Sequence, residues 1–164
     1  MKTHAASIVA LLLSCYCLFI SPANGQTSPV NTPPTFDANL AKKLGADEYG
    51  MKNYVFCILK TGPKDASIKD EKQRAGIFGG HMANMKRLAD AGKLVVAGPF
   101  GKNERGYRGI FVFDVASVEE AEKLVATDPV IKSGMMTAEL TLWYGSAALM
   151  ATADIHKRIQ KTAF

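Results

Sequence analysis

Histidine and cysteine are scarce in this chain, with three of each among 164 residues. Spacing assembles no metal-ligand cluster from so few, so no metal site is expected. The glycine-rich phosphate cradles GxGxxG and the P-loop are missing, as is the GxSxG nucleophile elbow. No nucleotide cofactor or serine-hydrolase chemistry is therefore indicated, and no cofactor of any kind is expected. Charge of one sign is not concentrated either. Twenty Lys and Arg against 15 Asp and Glu give a formal charge of +5. The excess is scattered and does not alternate with aromatics, which describes a solvated surface and excludes a nucleic-acid face. There are no internal repeats.

The extended apolar run is N-terminal. Lys2 precedes Ala5 to Ile20, Pro22 breaks the run, and Ala23-Asn24-Gly25 supplies small residues at the −3 and −1 positions of a cleavage site. Sixteen apolar residues fall short of the roughly 20 that cross a bilayer. A signal peptide over 1–25 is expected, with export to the periplasm or medium and no stable membrane span after cleavage. Retention as an anchor, and lipidation at Cys15 in "LLSC", are the alternatives. Cleavage would remove Lys2, Cys15 and Cys17, leaving a charge of +4 and Cys57 as the lone cysteine. An exported chain with one cysteine has no internal disulfide and depends on its core. Cys57 sits in "YVFCIL" and reads as a small buried apolar residue.

Residues 26–52 read as a linker. "QTSPVNTPPTF" is extended, and "DANLAKKLG" forms a short helix capped by Asp37 and stopped by Gly45. From residue 53 the pattern sharpens. "NYVFCILK" is a strand, and residues 67–92 form a helix with an apolar stripe of Phe78, Met82, Met85 and Ala89, widened by Leu88, with His81 on its edge. "KLVVAGP" and "RGIFVFDV" are the next strands. Ser117 and Glu120 make a capping box that opens a second helix, and "MTAELTLWY" is the last strand. Residues 145–164 read as a tail helix. The order βαββαβ over 53–144 predicts an α+β, ferredoxin-like domain with an antiparallel sheet.

In that unit both helices cover one face of the sheet, and a face left in water should show polar residues at alternate positions. Residues 54–59 and 110–113 are apolar throughout. At about 25 cal/mol per Å², exposing such a face forfeits many kcal/mol. A second copy packed sheet to sheet would cover it, making a homodimer; the tail helix folded across the face is the rival cover.

His81, the "KLVVAGPF" turn, the "FVFDV" strand and "SVEEAEKLVATDP" occur together at a spacing that resembles the YCII-related (YciI-like) family. The resemblance spans about 53–144 and implies a ferredoxin-like, dimeric α+β barrel. It also implies a His–Asp pair beside the sheet, here His81 and Asp128. Related enzymes include a dehydrochlorinase acting on a chlorinated hydroxyquinol, so a cofactor-independent lyase or isomerase acting on a small cyclic compound is one expectation. A non-catalytic dimeric barrel that binds a small apolar ligand, or serves as an interaction module, is the other.

The residues themselves leave His81 open between a hydrogen-bonded histidine at a core margin and a functional group. Gly79 and Gly80 just before it each cost up to about 1 kcal/mol in a helix interior. They point to a close approach or to an irregular helix start. Asp128 before Pro129 is a good N-cap in its own right, and one carboxylate oxygen can cap while the other orients an imidazole. Gly98, Pro99 and Phe100 form a turn that could also line a substrate pocket. Arg105, Tyr107 and Arg108 are loop residues that could meet an acidic group.

Overall fold

The structure is a computed structural model and describes residues 35–162. The expected signal segment, with its cleavage and lipidation alternatives, lies outside the described residues. Helix α1 (Ala38–Leu44) begins where the Asp37 carboxylate accepts the Leu40 N–H and ends at Gly45, whose φ of 70° closes the last turn. Strand β1 (Met51–Thr61) leads through a 3₁₀ turn at Asp65–Ser67 into α2 (Glu71–Asp90). α2 is shorter than its sequence pattern suggested. Asp70 caps it by accepting the Gln73 N–H at 2.6 Å, and that cap fixes the start after the 3₁₀ turn.

The rest follows as β2 (Leu94–Pro99), β3 (Tyr107–Phe113), α3 (Val118–Val125), α4 (Pro129–Lys132), β4 (Met136–Ser146) and, after a 3₁₀ stretch at Ala147–Ala151, α5 (Thr152–Ile159). Ser117 caps α3, as its spacing predicted, by accepting the Glu120 N–H. Glu120 Oε2 in turn accepts the Ala116 N–H, one residue before the cap.

The four strands form one antiparallel sheet in the order β2-β3-β1-β4, the ferredoxin-like arrangement. Direct register pairs share a face, so Val55, Cys57 and Leu59 of β1 line up with Phe113 and Phe111 of β3 and with Leu140 and Ala138 of β4. That face carries the core, closed by Leu88 of α2, Ala121 and Val125 of α3, and Val130 of α4. The expected Cys57 environment is found: the side chain is fully buried, and burial, followed by the charge of Asp128, pushes its thiol up to about 12.

The opposite face carries Tyr54, Phe56 and Ile58 of β1, Ile110 and Val112 of β3, and Trp143 of β4. Tyr54 and Val112 are buried although they lie outside the main core. The chain after β4 accounts for this. The Ala147–Ala151 stretch touches both β1 and β2, α5 touches β2, and the Tyr54 hydroxyl donates to the Ser146 carbonyl at 3.1 Å. The tail therefore covers the end of the face that holds Tyr54. Phe56, Ile58 and Ile110 remain half-buried, and Trp143 keeps 39% of its surface in solvent.

The expected apolar stripe of α2 is corrected in part: Phe78, Met85 and Leu88 pack on the core, and the other two members do not. Met82 is 42% exposed and Ala89 also faces outward. The inward line runs through Ile77, His81, Asn84 and Leu88, a 4-3-4 spacing that stays within one narrow helical face. Two of its four members are polar, so an apolar-only reading of the helix rotated the stripe. His81 consequently lies within the buried face, not at its margin.

Candidate functional site

Two neighbouring elements of the helical layer hold the site. α2 presents His81 and Asn84 one turn apart, and the N-terminus of α4 presents Asp128. What brings them together is a missing side chain. A Cβ on Gly80 would lie 2.8 Å from Cγ of Pro129, so only glycine lets α2 approach the first residue of α4 this closely. The glycine pair that looked costly in the sequence thus divides. Gly80 is required by the approach, whereas Gly79 faces open space.

His81 Nδ1 lies 2.8 Å from Asp128 Oδ2, with side-chain exposures of 10% and 1%. Asp128 Oδ1 accepts the Val130 N–H at 3.1 Å, which caps α4. Both expected uses of this carboxylate occur at once. Oδ2 receives a second, longer contact from Asn84 Nδ2 at 3.4 Å. The imidazole stacks on Phe111 at 6.0 Å between centroids and meets the edge of Phe78 at 6.4 Å.

An ionised carboxylate only accepts, so the Asp128 bond places the imidazole hydrogen on Nδ1. No protein group among the described residues bonds Nε2. Among the described residues no buried side-chain nitrogen or oxygen lacks a partner, so Nε2 reaches solvent. The imidazole is held at one nitrogen and open at the other.

Sequence reasoning missed Asn84, Arg87 and Thr127. Asn84 Oδ1 accepts from Arg87 Nη2 at 2.8 Å and lies 3.0 Å from the Thr127 hydroxyl, which donates to the Leu124 carbonyl at 2.6 Å and accepts from Arg87 at 3.0 Å. The available signal was an asparagine inside a helix, where it is a poor former, placed three residues after the histidine.

Gly98 and Pro99 end β2, and the Phe100 N–H donates to the Arg108 carbonyl. The Phe100 ring packs on Tyr107. Among the described residues, no hydrogen bond or ring contact of this turn reaches His81 or Asp128. Arg108 pairs with Asp65 at 3.6 Å, a carboxylate it shares with Arg74. Arg105 lies over the Tyr107 ring.

Clefts among the described residues include two away from the His81–Asp128 pair. One of about 630 Å³ is lined by Asp47, Lys52, Lys93, Asp114, Glu120 and Tyr144 among others. Its charges are paired: Lys52 with Asp114 at 2.9 Å, Lys93 with Glu120 at 3.1 Å, and the Tyr144 hydroxyl donating to Asp47. The other, of about 390 Å³, lies between α3 and β4, beside Val125 and Leu140. Neither is lined by His81 or Asp128. Among the described residues, no group of three or more His, Cys, Asp or Glu could hold a metal ion, and no helix is long and apolar enough to cross a membrane.

The ferredoxin-like sheet and its helices define the fold class, and comparison with known families gives the family. The YCII-related domain matches residues 54–143, more than half of the chain, and the protein belongs to that family. Among solved structures, it is similar to 5-chloro-2-hydroxyhydroquinone dehydrochlorinase from Burkholderia phenoliruptrix AC1100, in complex with 2,5-dihydroxybenzoquinone. Identity is 20% and the TM-score 0.37, over 54% of this chain and 90% of that one. No curated protein matches the chain.

Proposed function

We propose that this YCII-related protein is an exported, cofactor-independent enzyme of the lyase or isomerase type, with His81 as general base and Asp128 as its orienting partner. One observation carries the reading: His81 Nδ1 is bonded to a buried carboxylate while Nε2 is open to solvent. A neutral imidazole accepts a proton only at its unprotonated nitrogen, and the Asp128 bond directs that nitrogen outward. Nε2 would take a proton from a carbon next to a carbonyl. The electron pair released then forms a new double bond. Either a leaving group departs from the neighbouring carbon with its bonding electrons, or the proton returns at a different carbon. No oxidant or reductant is needed. Asp128 would stabilise the imidazolium in between.

The second reading, a binding or interaction module without turnover, is favoured by the position of the two clefts away from His81. Under either reading we propose a homodimer joined through Phe56, Ile58, Ile110 and Trp143, the part of the sheet face that the tail leaves half-covered. Incubating the purified protein with a panel of phenolic and lactone compounds separates the readings. Turnover that disappears in His81→Asn supports the enzyme. Thermal stabilisation by a compound with no turnover overturns it in favour of the module.

A further inference from the structure

We infer that Asn84 is a positioning residue: it holds the Asp128 carboxylate as an acceptor for the imidazole, and Arg87 in turn fixes the Asn84 amide. The inference rests on the reading of His81 as a base, and deepens it. An asparagine amide has two ends, and the neighbours here decide which end faces Asp128. A guanidinium has only donors, so the atom 2.8 Å from Arg87 Nη2 must be the oxygen. The NH₂ group then points at Asp128 Oδ2. Turning the amide over would set donor against donor at Arg87 and carbonyl oxygen against carboxylate at Asp128. The Thr127 hydroxyl, which accepts from Arg87, also faces the amide oxygen.

This arrangement does something for the base that the Asp128 bond alone would not. With Val130 N–H on one oxygen, and both His81 and Asn84 directed at the other, the carboxylate is supplied with donors on both sides. It cannot rotate toward another partner or accept a hydrogen from a neighbour without breaking one of these contacts. Two further titratable or charged groups bear on the pair: the Cys57 thiol from β1, which feels the Asp128 charge, and Arg87 from α2, which bonds Asn84. Of these, only Arg87 sits on the solvent side, and it reaches the pair through Asn84. The exposed guanidinium therefore acts on the imidazole through one side chain, at a distance from any substrate.

The test uses the full chain and reads the imidazole directly. Nitrogen-15 NMR of the wild type is expected to show His81 as one tautomer with hydrogen on Nδ1. In Asn84→Leu the carboxylate can turn away from the imidazole, and the fraction of His81 with hydrogen on Nδ1 should fall. With any compound that is turned over, kcat should fall about 10- to 100-fold with KM little changed, the mark of lost positioning. Asn84 is buried, so the exposed Arg87 offers a second route. Arg87→Met frees the amide to turn and should move the same NMR signals in the same direction. Arg87→Lys, which still donates, should restore them. Unchanged His81 signals in both folded Asn84→Leu and Arg87→Met overturn the proposal. Tautomer mixing in a protein that turns nothing over supports the positioning role and sinks the enzymatic reading, so the two failures are distinguishable.

Discussion

Replacing Asp128 gives the sharpest test of how the site is built, because two substitutions separate its two roles. Asp128 is 1% exposed and accepts from Val130, His81 and Asn84. Asp128→Ala removes the cap of α4, about 1 kcal/mol. It also strands two side-chain donors in surroundings where each unpaired group costs about 1–3 kcal/mol. These losses share one network and do not simply add. A total of about 3–5 kcal/mol is expected, in line with breaking a buried pair from one side. Asp128→Asn differs. Its oxygen can keep the cap, but its NH₂ then faces His81. The imidazole must turn to its other tautomer to accept, which moves the hydrogen to Nε2. Stability should fall by only about 1–3 kcal/mol. Base catalysis should be lost, an effect of about 10²- to 10⁴-fold. Urea unfolding with an unchanged m-value measures the first quantity, and turnover with nitrogen-15 NMR the second. A cost below about 1 kcal/mol for Asp128→Ala would show that these contacts carry no weight. Full turnover in Asp128→Asn would refute the tautomer argument.

Gly80→Ala should destabilise by about 1–3 kcal/mol through the clash with Pro129, while Gly79→Ala, which meets nothing, should stabilise by about 0.5–1 kcal/mol; paired urea midpoints decide, and equal effects would refute the close-approach argument. The Cys57 thiol, raised from 9.0 to about 12 in the folded chain, ionises in the unfolded chain first. Stability should therefore hold below pH 9 and decline between 9 and 12, by up to about 1.4 kcal/mol per pH unit, and Cys57→Ala should remove that component of the decline in unfolding measured at pH 8 and 10.5. Light scattering at micromolar concentration should report a dimer, with Phe56→Glu giving a folded monomer; a monomeric native chain would count against the interface. Mass spectrometry of protein recovered from the cell envelope should show a mature chain starting at Gln26, and an intact or lipidated N-terminus would refute cleavage after Gly25.

Much of this architecture could be read from local chemistry. Asp37 and Gly45 bracket α1, Ser117 caps α3 and Asp128 caps α4, because each signal needs only a few consecutive residues. The unbroken apolar runs in β1 and β3 showed that both sheet faces need cover. They could not show how the tail and the remaining surface divide that task, since this depends on where Ala147–Ala151 crosses the strands. The juxtaposition of His81 and Asp128 was expected from the family resemblance; residues 47 apart carry no local signal of contact. Asn84 and Arg87 went unread for a related reason. A polar residue inside a helix looks like a break in the apolar stripe until its partner, from another element, is known.

Asp128 is shared between a fold element and a site, and this has a dynamic consequence. The four residues of α4 are the shortest α-helix among the described residues, and their turn is tied to the same carboxylate that holds the imidazole. Opening α4 would release His81, and losing the His81 contact would loosen α4. The two events belong to one cooperative unit of local unfolding. Amide exchange at Val130, Ile131 and Lys132 should therefore rise and fall together with the order of the His81 ring. A hydrogen-exchange measurement far from any substrate would then report the fraction of molecules in which the base is set to act.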